Sequence, residues 1–197
     1  MQSVYLGNYP QNDITGKLLE PIEWIVIKED RTQVLLLSKM ILDAKPFCQE
    51  ESGWVFGNAW NVSSIRKWLN NTFLQKTFST EEQRIIIPTS LDNHEDHLFQ
   101  GDNTTDLIYL FSPDEFATEC PQRLKQAEAT PYAVQNGDWI FKLNHDWWLR
   151  LPTLSTKNSA VLQYEMVAKH QCPSTLYLGV RPAMWVKKDA IQYGDSQ

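Results

Sequence analysis

The sequence predicts an α+β fold of irregular antiparallel sheets with short helices in the middle of the chain. Three observations lead there. Residues 1–40 carry short β-branched apolar runs separated by polar turns. The centre carries helix caps and a 3.6-residue apolar period. From Gly137 onward, tryptophan-rich apolar segments read as strands. Strands first, helices next and strands last suit an α+β layer arrangement, read here as one domain over residues 1–197.

The elements follow in order. "VYLGNYP" (Val4 to Pro10) reads as a strand. "IEWIVIK" (Ile22 to Lys28) and "VLLLSK" (Val34 to Lys39) flank five polar residues and read as a hairpin. The first strand joins them across the loop Gln11 to Gly16. In "NVSSIRKWLNNTF", Ile65, Trp68, Leu69 and Phe73 lie at helical spacing, with Asn61 or Ser63 available as the cap. "STEE" (Ser79 to Glu82) matches a capping box and opens a short helix that ends before "IIIP". Residues 90–106 are polar, acidic and without period, so they read as a long loop. "DLIYLFS" (Asp106 to Ser112) reads as a strand. "SPDE" (Ser112 to Glu115) starts a helix with a serine cap, proline at the first position and glutamate at the third. Pro121 stops it, and a second short helix is expected over Gln122 to Ala129. Strands are expected around Trp147 to Leu151, Ala160 to Tyr164 and Val180 to Val186.

The 197-residue chain is 42% hydrophobic and 21% charged, ordinary for a globular protein. At that length roughly 70% of the unfolded surface can be buried, so neither disulfides nor metals are needed. The formal net charge of −6 argues against nucleic acid and against anionic membranes. Lys187-Lys188 is the one basic pair of note, and it reads as a solvated edge. Cys48, Cys120 and Cys172 are odd in number and widely spaced, which implies neither a disulfide framework nor a zinc site. No basic, apolar leader opens the chain and no run approaches the about 20 apolar residues of a membrane span, so a cytoplasmic protein is expected. The sequons at Asn61, Asn70 and Asn103 are then chance matches.

An ordered set of motifs carries further information. The chain reads "YLGNYPQ", "PIEW", "SKMILD", "SSIRKWLNNTF", "FSTEEQRI", "DLIYLFSPDE", "TPYA", "WWLRLPT" and "GVRPAMW". This order resembles a bacterial family of uncharacterised domains that runs YPQ, PIEW, S-x-x-R-x-WLN, T-x-YA, WWLR and GVRPA along nearly its whole length. The C-terminal half of that family resembles the C-type lectin-like fold, as found in formylglycine-generating enzymes (sulfatase-modifying factors) and in diversified bacterial and phage binding proteins. The resemblance implies a tryptophan-rich strand followed by a closing G-x-R strand, with binding loops on one face. Leu151 and Thr153 depart from the serine and glycine usual there, and Leu154 to Tyr177 does not match closely.

Each candidate site competes with a plain structural role. On a strand, Trp147 and Leu149 share one face and Trp148 and Arg150 the other. Trp147, Trp148, Arg150, Arg181 and Trp185 read as a structural hub, with each arginine beside an indole and paired to a carboxylate. "NHEDH" places His94 and His97 around two carboxylates, but in a loop and without the i, i+4 spacing of a zinc helix. "DNTTD" lacks the glycine and terminal glutamate of a calcium loop. His170 and Cys172 form a local base–thiol pair without an orienting group. "SGWVFGN" lacks the spacing and lysine of a phosphate loop. No catalytic residue, metal site or cofactor is therefore expected. What remains is a surface: Lys157, Asn158, Tyr164, His170 and Tyr177, in loops over residues 154–177, mix aromatics with small polar groups as recognition surfaces do. Ordinary connecting loops are the competing reading. The expectation is a non-enzymatic binding domain whose ligand is a protein, with a glycan second. Its rivals are an enzyme related to formylglycine-generating oxidases and a phage- or defence-associated interaction protein.

Overall fold

The computed structural model describes residues 2–48, 59–94, 101–152, 159–163, 166–170 and 176–193. It is a mixed α and β structure of mostly antiparallel sheets with short helices. The chain opens as expected with an antiparallel meander of β1 (Ser3–Tyr9), β2 (Glu20–Glu29) and β3 (Gln33–Ser38). Between β2 and β3 the Asp30 carboxylate accepts the backbone N–H groups of Thr32 and Gln33, which fixes the turn. β4 (Asp43–Lys45) follows. β1 is irregular between Tyr5 and Asn8. There Gly7 adopts φ +69°, open to glycine at no steric cost. Its N–H donates to Glu82 Oε1 at 2.8 Å.

The periodic segment is helical in three parts: α1 (Ser64–Trp68), a π-helical turn (Leu69–Phe73) and α2 (Leu74–Thr77). Ser63 is the cap, accepting the Arg66 N–H, while Asn61 sits in the preceding 3₁₀ turn Trp60–Val62. Ile65, Leu69 and Phe73 are buried, and Trp68 is half-buried 5.1 Å from Phe73. Both capping boxes form. Ser79 and Glu82 open α3 (Thr80–Ile85), which leads into β5 (Ile86–Ile87). Ser112 and Glu115 open α4 (Pro113–Glu119).

Several expectations are corrected. The stretch 90–106 is not all loop, because β6 (Thr89–Leu91) and β7 (Thr104–Asp106) pair antiparallel at its ends. Residues 107–111 are not a laddered strand; a single antiparallel bridge joins Tyr109 to Ala183. The expected helix at 122–129 is only a 3₁₀ turn, Gln122–Leu124, whose Leu124 is its one buried residue. Two helices precede the C-terminal strands: α5 (Pro131–Asn136), capped by Thr130, and α6 (Trp139–Asn144), capped by Asp138. β8 (Trp147–Pro152) and β9 (Ser159–Gln163) lie where expected, but β10 (Met166–His170) occupies part of the predicted loop. The closing strand is broken at Arg181-Pro182 into β11 (Leu178–Val180) and β12 (Ala183–Lys187), since proline cannot donate to a ladder.

Two five-stranded sheets result, ordered β1-β2-β3-β12-β5 and β10-β9-β8-β11-β4. The only parallel pairing in them, among the described residues, is β8 with β11. Residues 107–111 run between the sheets, with Ile108, Tyr109, Leu110 and Phe111 buried. Tyr109 exchanges both backbone hydrogen bonds with Ala183 of the first sheet, at 3.0 and 2.8 Å. Phe111 C=O accepts the Arg150 N–H of the second sheet at 2.8 Å. Asn70 takes the place of a neighbouring strand. Its Oδ1 accepts the N–H groups of Leu107 (2.8 Å) and Ile108 (3.2 Å), and its Nδ2 donates to Ile108 C=O (2.8 Å). Among the described residues no helix is long and apolar enough to cross a membrane.

Removing the Asn70 amide leaves buried backbone groups unpaired. Asn70→Ala is expected to lower unfolding free energy by about 2–3 kcal/mol, read by urea denaturation at unchanged m-value.

Candidate functional site

Trp147, Trp148, Leu149 and Arg150 are all buried, so β8 is covered on both faces. The Trp148 indole N–H donates to Lys45 C=O at 2.7 Å, and its ring meets Phe47 edge-on. Arg150 engages four of its five N–H groups among the described residues. Its Nε donates to Leu110 C=O, its Nη1 to Asp92 C=O and Asn93 Oδ1, and its Nη2 pairs with Glu115 Oε1 at 2.8 Å. Asn93 in turn donates to Asp102 C=O and takes Asn103 Oδ1 on its backbone N–H. One guanidinium thus clamps β8, the crossing segment, the cap of α4 and the base of the β6–β7 pair.

Arg181 differs from expectation. Its Nε donates to Ser38 C=O and its Nη1 to Leu124 C=O, and its guanidinium lies 5.1 Å over the Trp147 ring. Among the described residues no carboxylate forms an ion pair with it. Burial pulls its pKa down to about 10, so it stays charged at neutral pH and is held by dipoles and an indole face. Trp185 is half-buried on β12.

Two further motif carboxylates are engaged. The buried Asp106 carboxylate accepts from Trp60 Nε1, Arg66 Nε and Thr104 Oγ1. Buried Asp43 accepts from Tyr9 Oη (2.6 Å), Asn136 Nδ2 and its neighbour's Ala44 N–H, and pairs with Lys45 at 3.0 Å. Burial first, then the Asp43 charge, push the Tyr9 hydroxyl above the usual tyrosine range. Cys48 and Cys120 are buried, and burial pushes the Cys120 thiol up to about 12, which leaves it protonated and unreactive. Of the metal-like cluster, His94 Nδ1 lies 3.1 Å from Asp92 and 3.0 Å from Asn103, and His97 lies outside the described residues. Among the described residues no three potential ligands gather to hold an ion.

The surface candidates divide differently. Lys157, Asn158, Tyr164 and Cys172 lie outside the described residues, and "SGWVFGN" does too. His170 ends β10. Tyr177 is 42% exposed. Beside it stands a residue that sequence reading missed, Trp139, which is 71% exposed. Asp138 brings the two together. Its Oδ1 accepts the Phe141 N–H and caps α6, its Oδ2 accepts the Tyr177 N–H at 3.1 Å, and its own N–H donates to Tyr177 C=O at 3.2 Å. Trp139 therefore directly follows the residue whose backbone and side chain are hydrogen-bonded to Tyr177. The signal was present in "GDWIFK": an Asp cap with Phe141 turned inward puts Trp139 outward on a helix.

A family model described as a domain of unknown function (DUF6273) matches residues 31–188. No curated protein and no solved structure matches the chain.

The two arginines should respond differently to a neutral isostere. Arg150→Met strands Asn93, two carbonyls and Glu115, and is expected to cost about 3 kcal/mol by thermal or chemical unfolding. Arg181→Met strands two carbonyls but also removes a buried cation that no described carboxylate neutralises, and is expected to cost less, about 1 kcal/mol.

Proposed function

The chain belongs to the DUF6273 family, and we propose that it is a non-enzymatic binding domain on a C-type lectin-like scaffold, with a protein as its ligand. The exposed Trp139–Tyr177 pair carries this reading. Tryptophan and tyrosine give a large, amphipathic contact at low entropic cost, which is why they anchor recognition surfaces. An indole left in water adds nothing to the core, and Asp138 fixes the backbone that holds it there. The described motif residues, by contrast, spend their polar atoms on the fold. The buried Arg150 donates into the fold, and the buried Cys120 thiol is held protonated, so neither offers a nucleophile or base to a substrate. The scaffold assignment draws support from the pairing of tryptophan-rich β8 beside β11, where Gly179-Val180-Arg181 starts the G-x-R segment. The net charge of −6 favours a protein over nucleic acid.

Trp139→Ala/Tyr177→Ala should melt with the wild type, because both side chains are exposed. It should bind the partner identified by co-purification from source cells at least about tenfold more weakly, measured by titration of that purified partner. Unchanged affinity, or substrate turnover by the purified chain that a point substitution abolishes, would sink the proposal.

A further inference from the structure

A second surface lies outside the residues that the family model matches, in the loop 11–19 between β1 and β2. Its backbone is locked. The Asp13 carboxylate accepts the N–H groups of Thr15 (2.9 Å), Lys17 (3.1 Å) and Leu18 (2.9 Å) and the Thr15 hydroxyl. The Glu20 carboxylate accepts the Asn12 N–H and side-chain amide, each at 2.7 Å. Gln11 Nε2 donates to Glu20 and Pro21 carbonyls, and Gln11 C=O accepts the Tyr132 N–H of α5. Gly16, at φ +71°, lies so close to the Tyr132 ring that a Cβ there would stand 2.9 Å from it. Held this way, the loop presents Ile14 at 53% exposure, Leu18 at 60% and Leu19 at 50%.

Three large aliphatic side chains on a rigid loop are costly in water and contribute nothing to the core. The conformational entropy of a binding loop is already spent, so burial against a partner would be gained nearly in full. We propose that loop 11–19 is an apolar finger that inserts into a cation-rimmed apolar cleft on a protein partner. Size and charge select that occupant. Three side chains offer on the order of 300 Å², well short of the ~800 Å² per partner that a symmetric dimer of this chain needs, whereas a concave cleft encloses a protruding loop. At the base, Asp13 and Glu20 outnumber Lys17. The N–H groups of Leu18 and Thr15 hold the Asp13 carboxyl down at about 2, and Asn12 lowers that of Glu20, so both stay charged at neutral pH. Their hydrogen-bonding capacity is largely used, so they act as a field that attracts basic groups and repels an anionic lipid surface.

The test places a benzophenone photocrosslinker at Leu18 of the full chain in source cells and identifies the adduct. Binding of the purified partner is then titrated against wild type, Leu18→Asp, Ile14→Ser and Trp139→Ala/Tyr177→Ala. The expected result is a discrete protein adduct. Its affinity should fall about tenfold with Leu18→Asp, less with Ile14→Ser, and progressively with added salt. An adduct formed only with a second copy, only with lipid, or not at all overturns the finger. So does a partner that ignores Leu18→Asp. A partner lost with the aromatic double variant but indifferent to Leu18→Asp overturns the finger while leaving the aromatic site standing.

Discussion

The structure depends on residues 107–111, a buried apolar segment that belongs to neither sheet yet is bonded to both. A strand in that position would satisfy its backbone by laddering. Here Tyr109 reaches Ala183 on the first sheet, Arg150 takes the carbonyls of Leu110 and Phe111 from the second, and Asn70 completes Leu107 and Ile108 from the helical layer. Unpaired buried backbone groups are expensive, so these few side chains decide whether the two sheets and the helices form one unit. The recurring motifs map onto this arrangement. Arg66 and Asn70 of the WLN motif, Glu115 of the SPDE cap and Arg150 of WWLR all converge on it or on its immediate flanks.

That convergence separates the fold from the function. Trp147, Trp148 and Arg150 are buried, and the described hydrogen bonds of the Trp148 indole and the Arg150 guanidinium end on protein. Glu82 shows the same economy at smaller scale: one carboxylate closes a capping box through Oε2 and fixes the Gly7 irregularity of β1 through Oε1. Groups engaged in this way serve the fold. The side chains with capacity to spare are the ones the motifs omit, Trp139 and the aliphatics of loop 11–19.

Legibility in the sequence follows how local each cause is. The first three strands and both capping boxes were readable, since alternating apolar runs and S-x-x-E spacing act within a few residues. Residues 107–111 looked like a strand because their apolar run is strand-like; that its partners are side chains from Asn70 and Arg150 is a tertiary fact. α6 falls in a stretch that reads only as generally β-rich, because six residues hold less than two turns, too few for a period, and its start is set by one Asp cap. The break at Arg181-Pro182 was marked by the proline but was overridden by the apolar flanks. Among the surface candidates, Tyr177 was legible as a polar-loop aromatic, while Trp139 was hidden by the missed helix. The pairing of Arg181 with carbonyls and an indole, in place of a carboxylate, had no sequence signal, since its acceptors are backbone groups of Ser38 and Leu124.

Native-state hydrogen exchange over a urea series tests the crossing segment most directly. The amides of Ile108, Tyr109, Arg150 and Ala183 should exchange only through global unfolding, converging on one free energy equal to that of equilibrium denaturation. If the Ile108 and Tyr109 amides instead open at a lower free energy than the two sheets, the segment is a passenger and the fold is held together elsewhere.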